Sequence, residues 1–169
     1  MEIAGWGNFP QLDCAVSAPR SEADLAAQVA RGHAIARGNG RSYGDSAISP
    51  RNTIDMRNFD RMIAFDPDAG VLLAEAGVLL SDVIDAFLPR GWFPMVTPGT
   101  RLITLGGAIA ADVHGKSHHI NGSFRTCVDW IDVMGPDGSV TRAARNENPD
   151  LFGWTIGGMG LTGIILRCA

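Results

Sequence analysis

The sequence is poor in cysteine and contains no long apolar run. Its three cysteines, Cys14, Cys127 and Cys168, are odd in number and widely spaced. They therefore predict neither a disulfide framework nor a metal cluster, and they favour a reducing compartment. The segment 1–10 carries Glu2 and no apolar core, so we predict no signal peptide. No stretch approaches the length of a transmembrane helix, and we expect a cytoplasmic protein.

Charge is also scarce, because charged residues make up 19% of the chain and the net charge is −4. This balance argues against a general nucleic-acid or membrane-binding surface. An anionic ligand would have to be held locally, by backbone N–H groups and a few cations. What the sequence has in excess is glycine, with 21 residues that cluster. Clustered glycine is typical of positive φ angles or of close contact between a ligand and the main chain.

Hydrophobic periodicity and turn signals predict an α+β fold. Apolar residues make up 46% of 169 residues, which is enough for one domain or for two small lobes. We place the lobes at about 1–68 and 69–169. Ser21 and Ser81 are the predicted N-caps of two helices, and Asn148 with Pro149 predicts the start of a third. We expect helices over 22–31, 81–88, 106–111 and 149–156, and strands over 33–36, 53–56, 61–65, 71–76, 128–134, 139–142 and 163–168.

A first glycine loop, with Gly38, Gly40 and Gly44, follows a predicted strand. Successive N–H groups in such a loop form an anion-binding nest. The loop is not the dinucleotide fingerprint, because its third glycine stands one residue late. A Walker A loop would need glycine at Ala110, ahead of Gly115-Lys116-Ser117, so that motif is also absent. A glycine-rich turn without a ligand remains an alternative.

A second segment, 98–119, combines small residues with titratable ones. The small residues of 106–111 allow a flat ring to lie against the backbone. A metal site could use Asp112, His114 and His118, although Gly115 weakens the helix that this spacing needs. The other interpretations are a solvated polar loop, or a polar edge beside a cofactor ring where a cation stabilises negative charge. The titratable residues are Asp112, His114, Lys116, His118 and His119.

A third glycine cluster, 157–163, precedes the last predicted strand. One of its glycines would serve as an ordinary helix C-cap. The cluster holds more glycine than a cap requires, and a main chain that pairs with the edge of a planar base would use such a segment.

Together these loops resemble the vanillyl-alcohol oxidase/p-cresol methylhydroxylase superfamily of FAD-linked oxidases. The resemblance implies the FAD-binding domain of this superfamily, built from two small α+β lobes. It covers essentially the whole chain, in order. The segments that carry it are 36–45, 98–101, 106–110, 112–119 and 160–164.

The resemblance also implies roles for individual residues. Around the FAD pyrophosphate it places Gly38, Asn39, Gly40, Arg41, Ser42 and Tyr43. Along the isoalloxazine and ribityl chain it places Pro98, Gly99, Thr100, Gly106, Gly107 and Ala108. On the adenine side it places Gly158, Gly160, Leu161, Thr162, Gly163 and Ile164. His114 and Lys116 would face the substrate pocket as the catalytic candidates.

Many superfamily members attach their flavin covalently through a histidine in the first glycine loop. Arg41 stands at the matching position, which implies non-covalent FAD. The implied activity is oxidation of a CH–OH group by hydride transfer to flavin N5. The implied substrate is a sugar or polyol, in one branch a polyprenyl-phosphoryl pentose, with a short-chain reductase as partner. That branch also implies that the full-length enzyme is peripheral at the membrane.

The family's substrate domain has no counterpart in these 169 residues. The alternative function is therefore a non-catalytic flavin- or nucleotide-binding fragment. A metal-dependent hydrolase that uses Asp112, His114 and His118 is a third, more distant possibility.

Overall fold

The computed structural model describes all 169 residues, which form strands and helices in mixed order. This confirms the predicted α+β class. The strands are β1 (Glu2–Ala4), β2 (Gln11–Asp13), β3 (Val16–Ser17), β4 (Ile35–Arg37), β5 (Thr53–Asp55), β6 (Met62–Asp66), β7 (Val71–Glu75), β8 (Trp130–Met134), β9 (Val140–Ala144) and β10 (Ile164–Cys168). The helices are α1 (Glu22–Val29), α2 (Leu80–Phe87), α3 (Leu105–Ala110), α4 (His118–Asn121) and α5 (Pro149–Thr155). Short 3₁₀ turns cover Leu88–Arg90 and Phe124–Cys127.

The first part of the chain forms a small parallel sheet with the order β3-β5-β4. Helix α1 begins as predicted, because the Ser21 hydroxyl accepts a hydrogen bond from the backbone N–H of Asp24 at 3.1 Å. Leu25 and Val29 lie one helical turn apart and are both buried. They pack with Ile54 of β5 in a cluster of eight buried residues.

The larger sheet is antiparallel, with the order β6-β7-β10-β8-β9. Its central strand β10 separates two hydrophobic clusters. Ile165 belongs to the cluster that contains α2 and α3. Ile164 and Leu166 belong to the cluster that contains α1. The centre of the sheet is therefore buried on both faces at Ile164, Ile165 and Leu166, which explains why the first three residues of β10 are all apolar.

The two-lobe division at about residue 68 stays a prediction. Strands β6 and β7 pair with each other on either side of this point, and both belong to the larger sheet. The smaller cluster also draws Met134 from β8. The two sheets therefore share hydrophobic contacts.

Helix α2 begins differently from the prediction. Its N-cap is Leu79, with no side-chain cap, and Ser81 lies inside the first turn. The N–H groups of Leu80 and Ser81 instead donate to the carbonyls of Ile103 and Arg101, both at 2.9 Å. Asn148 is likewise not a side-chain cap, because its amide donates to the carbonyl of Arg142. None of the helices is both long and apolar enough to cross a membrane.

Candidate functional site

A cleft opens where the loop after β4, helix α3 and the segment before β10 meet. Its empty volume, including the open mouth, is about 890 Å³. The three glycine segments that the sequence singles out thus border one space. The predicted residues that line it are Gly38, Asn39, Gly40, Arg41, Ser42, Gly106, Gly107, Gly160 and Gly163.

The loop after β4 has unpartnered amides. None of the backbone N–H groups from Gly38 to Ser46 donates to a backbone carbonyl. Gly40 and Gly44 have φ angles of 65° and 62°, which lie in the left-handed region that favours glycine. Consecutive N–H groups that have no protein acceptor and lie beside a cleft are suited to an anion.

Arg41 adds a cation to this loop. Its side chain lines the cleft, and its Nε atom is buried without a hydrogen-bond partner. A buried polar atom without a partner is rare. A bound anion would supply the acceptor that the protein lacks.

Helix α3 forms the facing wall. Its N-cap is Thr104, whose hydroxyl accepts a hydrogen bond from the backbone N–H of Gly107 at 3.1 Å. A Cβ atom on Gly106 would lie 2.8 Å from that of Ala76, so glycine allows the helix to approach β7. A Cβ atom on Gly38 would collide with the Thr104 hydroxyl. The small residues therefore bring the loop and the helix together.

The segment before β10 forms the third wall and is tied to α3. The N–H groups of Gly157 and Met159 donate to the carbonyls of Ile109 and Ala110 at 3.0 and 2.9 Å. Gly163 has φ 140°, and a Cβ atom there would lie 2.6 Å from the carbonyl oxygen of Met134. Glycine is therefore required at this position for conformation and for space.

Other predicted contacts do not line the cleft, and their assignment to FAD stays a prediction. Ala108 and Ile164 are buried in the two hydrophobic clusters, so their side chains are not available to a ligand. Thr162 shares a hydrogen bond with Thr155, whereas Tyr43 and Leu161 are exposed. The remaining residues outside the lining are Pro98, Gly99, Thr100 and Gly158.

The catalytic candidates His114 and Lys116 are exposed and do not line the cleft, although their neighbour Val113 does. A Cβ atom on Gly115 would collide with the carbonyl oxygen of Thr97. Gly115 therefore packs closely against the backbone of Thr97, two residues beyond the lining residue Val113.

The structure does not assemble the metal site that the sequence allowed. The rings of His114 and His118 have their centroids 5.1 Å apart. The carboxylate of Asp112 instead accepts the backbone N–H of Arg125 at 2.9 Å and lies 3.6 Å from the guanidinium of the same residue. No group of three or more histidine, cysteine or acidic side chains is placed to hold a metal ion.

Sequence reasoning missed several lining residues. Thr104 carries the clearest signal, since a threonine three residues before Gly107 is a potential helix N-cap. The others are mostly small or apolar and lie far apart in the sequence, so no local pattern marks them. The missed residues are Ala36, Ser46, Ala47, Met56, Ala76, Ile103, Thr104, Val113, Met159 and Ile165, whereas the lining residues Ala110 and Ala111 belong to the predicted small-residue segment 106–111.

A second cavity lies on the other side of α3, where Leu105 and Ile109 point. Of its 19 lining residues 16 are hydrophobic, and Asp129 is the only charged one. No lysine or arginine lines this second cavity to bind an anion, so the first cleft is the better site for a phosphate-bearing ligand.

Comparison with known proteins agrees with this choice. The model of a family described as an FAD binding domain matches residues 14–144. The chain belongs to this family. The match confirms the resemblance to the FAD-linked oxidases, and it makes FAD the cofactor that the domain family binds.

Several curated relatives of this FAD-binding domain are named as oxidases or dehydrogenases. Decaprenylphosphoryl-beta-D-ribose oxidase of Mycolicibacterium smegmatis is 44% identical over 135 residues, which cover 79% of this chain and 29% of the relative. Cytokinin dehydrogenase 5 of Arabidopsis thaliana is 29% identical over 94% of this chain and 32% of the relative. L-gulonolactone oxidase of Mus musculus is 28% identical over 76% of this chain and 29% of the relative. The chain thus spans about a third of the length of these relatives.

The donors around the cleft fit FAD. The unpartnered N–H groups and the Nε atom of Arg41 match a diphosphate. The small residues of α3 leave the backbone open to a flat ring. Arg41 and the loop amides supply a local positive field in a chain of net charge −4.

Proposed function

We propose that this domain binds FAD non-covalently in the cleft and serves an oxidoreductase that oxidises an alcohol of a sugar or polyol. The free backbone N–H groups of residues 38–46 carry the proposal. In it, Gly38 to Tyr43 hold the diphosphate. Pro98 to Thr100 and Gly106 to Ala108 lie along the ring and ribityl chain, and Gly158 to Ile164 contact the adenine.

Bound FAD would supply the two-electron acceptor, at its N5 atom, for the hydride of the substrate's carbinol C–H, and the hydroxyl proton would have to pass to a general base. His114 and Lys116, which follow the lining residue Val113 in the sequence, would contact the substrate. The Lys116 ammonium would stabilise negative charge that develops there. The relative named for decaprenylphosphoryl ribose favours a polyprenyl-phosphoryl pentose. We propose a short-chain reductase as the partner that consumes the ketone, and a cytoplasmic location at the membrane surface.

Non-covalent binding is supported by the residues that line the cleft. They include no histidine, cysteine or tyrosine, which are the side chains with a nucleophile suited to a bond with the flavin. Arg41 occupies the loop position that the resemblance assigns to the attachment histidine. Acid precipitation of FAD-loaded protein should therefore release the flavin into the supernatant. Flavin that stays with the pellet would contradict this part of the proposal.

The binding site is tested by Gly40→Val. Gly40 has φ 65°, and a Cβ atom there would lie 2.6 Å from the guanidinium of Arg37. Valine should distort the loop and weaken FAD binding at least about tenfold, as measured by flavin fluorescence during titration.

The matched control is Gly32→Val. Gly32 has φ 75° with no atom near its missing Cβ, and it does not line the cleft. Both variants introduce valine at a positive φ, but only the first changes the site. Equal FAD affinity in the two variants would argue against the loop as the diphosphate site.

The second candidate function is a flavin-binding fragment without catalysis. The observation that favours it is the short span, 29%, of the Mycolicibacterium smegmatis relative that the chain matches. Both functions require FAD binding, so they are separated by reduction of the flavin by substrate in a protein that joins this domain to a substrate domain.

A further inference from the structure

We infer that the N-terminal hairpin, residues 2–13, is a positioning element of the flavin site in which Trp6 acts through Arg41. The inference rests on the proposed function, because it concerns the same diphosphate loop. The hairpin consists of β1, β2 and the turn between them. It lies before residue 14, where the match to the family model begins.

The hairpin contacts the carbonyl groups of the glycine loop. The N–H of Trp6 donates to the carbonyl of Ser42 at 2.7 Å. A Cβ atom on Gly5 would lie 2.6 Å from the carbonyl oxygens of Ser42 and Gly44, so glycine is needed for this close approach. In a planar trans peptide the N–H points away from the C=O. Fixing the Ser42 carbonyl on the hairpin therefore turns the N–H of Tyr43 to the opposite side.

The hairpin also holds two arginines, Arg37 at the end of β4 and Arg41 in the loop. The guanidinium carbon of Arg41 lies 4.4 Å from the centroid of the Trp6 ring. Arg37 donates from Nη2 to the carbonyl of Ala4 at 2.8 Å. Each arginine keeps a buried nitrogen without a partner, Nε in Arg41 and Nη1 in Arg37. Two fixed cations with free donors thus stand beside a loop with free amides.

A guanidinium stacked on an indole face is attracted to the ring and keeps its N–H groups in its own plane for an anion. Without the ring, Arg41 would move among its many rotamers, and its donors would no longer be fixed at the cleft. Trp6 is therefore a positioning residue for phosphate recognition. It differs from an ordinary surface tryptophan, which would support the fold without any effect specific to phosphate.

The test compares FAD with riboflavin, which has the same ring and no phosphate. We expect Trp6→Ala to weaken FAD binding about tenfold and riboflavin binding less than about twofold. Trp6→Phe keeps an aromatic face and should retain FAD affinity to within about threefold. Trp6→Leu keeps an apolar side chain without that face, and should behave like the alanine variant. The control is Trp154→Ala, since Trp154 is also exposed and does not line the cleft.

A double-mutant cycle tests the route through Arg41. Once Arg41→Met has removed the guanidinium, Trp6→Ala should cause no further loss of FAD affinity. Equal weakening of FAD and riboflavin, additive effects in the cycle, or a Trp6→Leu variant with wild-type affinity would each overturn the inference and leave the proposed function intact. A wild-type chain that fails to bind FAD would overturn both.

Discussion

At the scale of single residues, Asp132 shows how a buried carboxylate is kept ionised. Its oxygens accept hydrogen bonds from Nε of Arg142 at 2.8 Å and Nε of Arg167 at 3.0 Å. Burial alone would raise the pKa of Asp132, but these two guanidinium groups outweigh it and lower the pKa. Arg167 also reaches Glu22 of α1 at 2.9 Å. The network therefore ties α1 to the larger sheet.

We expect Asp132→Asn to lower the free energy of unfolding by about 2 kcal/mol, measured by urea denaturation. This loss is smaller than the loss expected for a fully buried ion pair, because the side chains of Arg142 and Arg167 are 46% and 32% exposed. The matched control is Asp85→Asn, which breaks an exposed ion pair with Arg101. That variant should lose less than about 1 kcal/mol. Similar losses in both variants would refute the role assigned to burial.

The same variant has a predictable pH dependence. The folded-state pKa of Asp132 is lowered. The ionised carboxylate therefore contributes fully to the free energy of unfolding above the unfolded pKa of about 3.9. This contribution is lost as the pH falls below that value and through the folded pKa. The difference in the free energy of unfolding between wild type and Asp132→Asn should therefore become smaller as the pH falls from 7 to 3. A difference that stays constant over this range would contradict the ion-pair explanation.

At the scale of elements, helix α3 depends on Thr104. The residue is buried, and its hydroxyl accepts the backbone N–H of Gly107. Thr104→Val keeps the shape of the side chain and leaves that N–H unpaired, so we expect a loss of about 1–2 kcal/mol in thermal or urea unfolding. Thr100→Val removes a similar bond, from the hydroxyl to the N–H of Leu102, in an exposed loop. Thr100→Val should lower the free energy of unfolding by less than about 0.5 kcal/mol. A loss equal to that of Thr104→Val would show that the N-cap is not the cause of the destabilisation.

The helices also show where local sequence signals suffice. The predicted cap at Ser21 is confirmed, since the Ser21 hydroxyl accepts the N–H of Asp24. The sequence was sufficient here because both groups belong to one short segment. The predicted cap at Ser81 is wrong, because the first N–H groups of α2 donate to residues 101 and 103. Those partners lie about twenty residues away, and no local pattern reveals them. Strands β1 to β3 contain two or three residues each, too few to show a period of two.

At the scale of the whole molecule, the cleft is assembled from segments more than a hundred residues apart. The sequence identified the three glycine segments from their composition, and the structure brings parts of all three to one cleft. It did not identify lining residues such as Met56 and Ile165. Each of these is an ordinary apolar residue of a strand or its edge, and only the pairing of the sheets places it at the cleft.

The composition of the cleft leads to a prediction about catalysis. Arg41 is its only lining residue with a titratable side chain, and the candidates His114 and Lys116 are exposed and outside the lining. A general base for the substrate hydroxyl must lie within hydrogen-bonding reach of the proton that it removes. No lining side chain meets this requirement, because arginine stays protonated. We therefore expect this chain, loaded with FAD and kept without oxygen, to show no bleaching of the flavin absorbance when a sugar alcohol is added.

Dithionite should bleach the same sample, which controls for flavin that is present and reducible. The Mycolicibacterium smegmatis relative, of which this chain matches 29%, serves as the comparison protein, because it includes residues beyond the matched domain that could supply a base. If the chain alone were reduced by the alcohol, His114 or Lys116 would have to act as the base. The variants His114→Ala and Lys116→Met would then identify which of the two removes the proton.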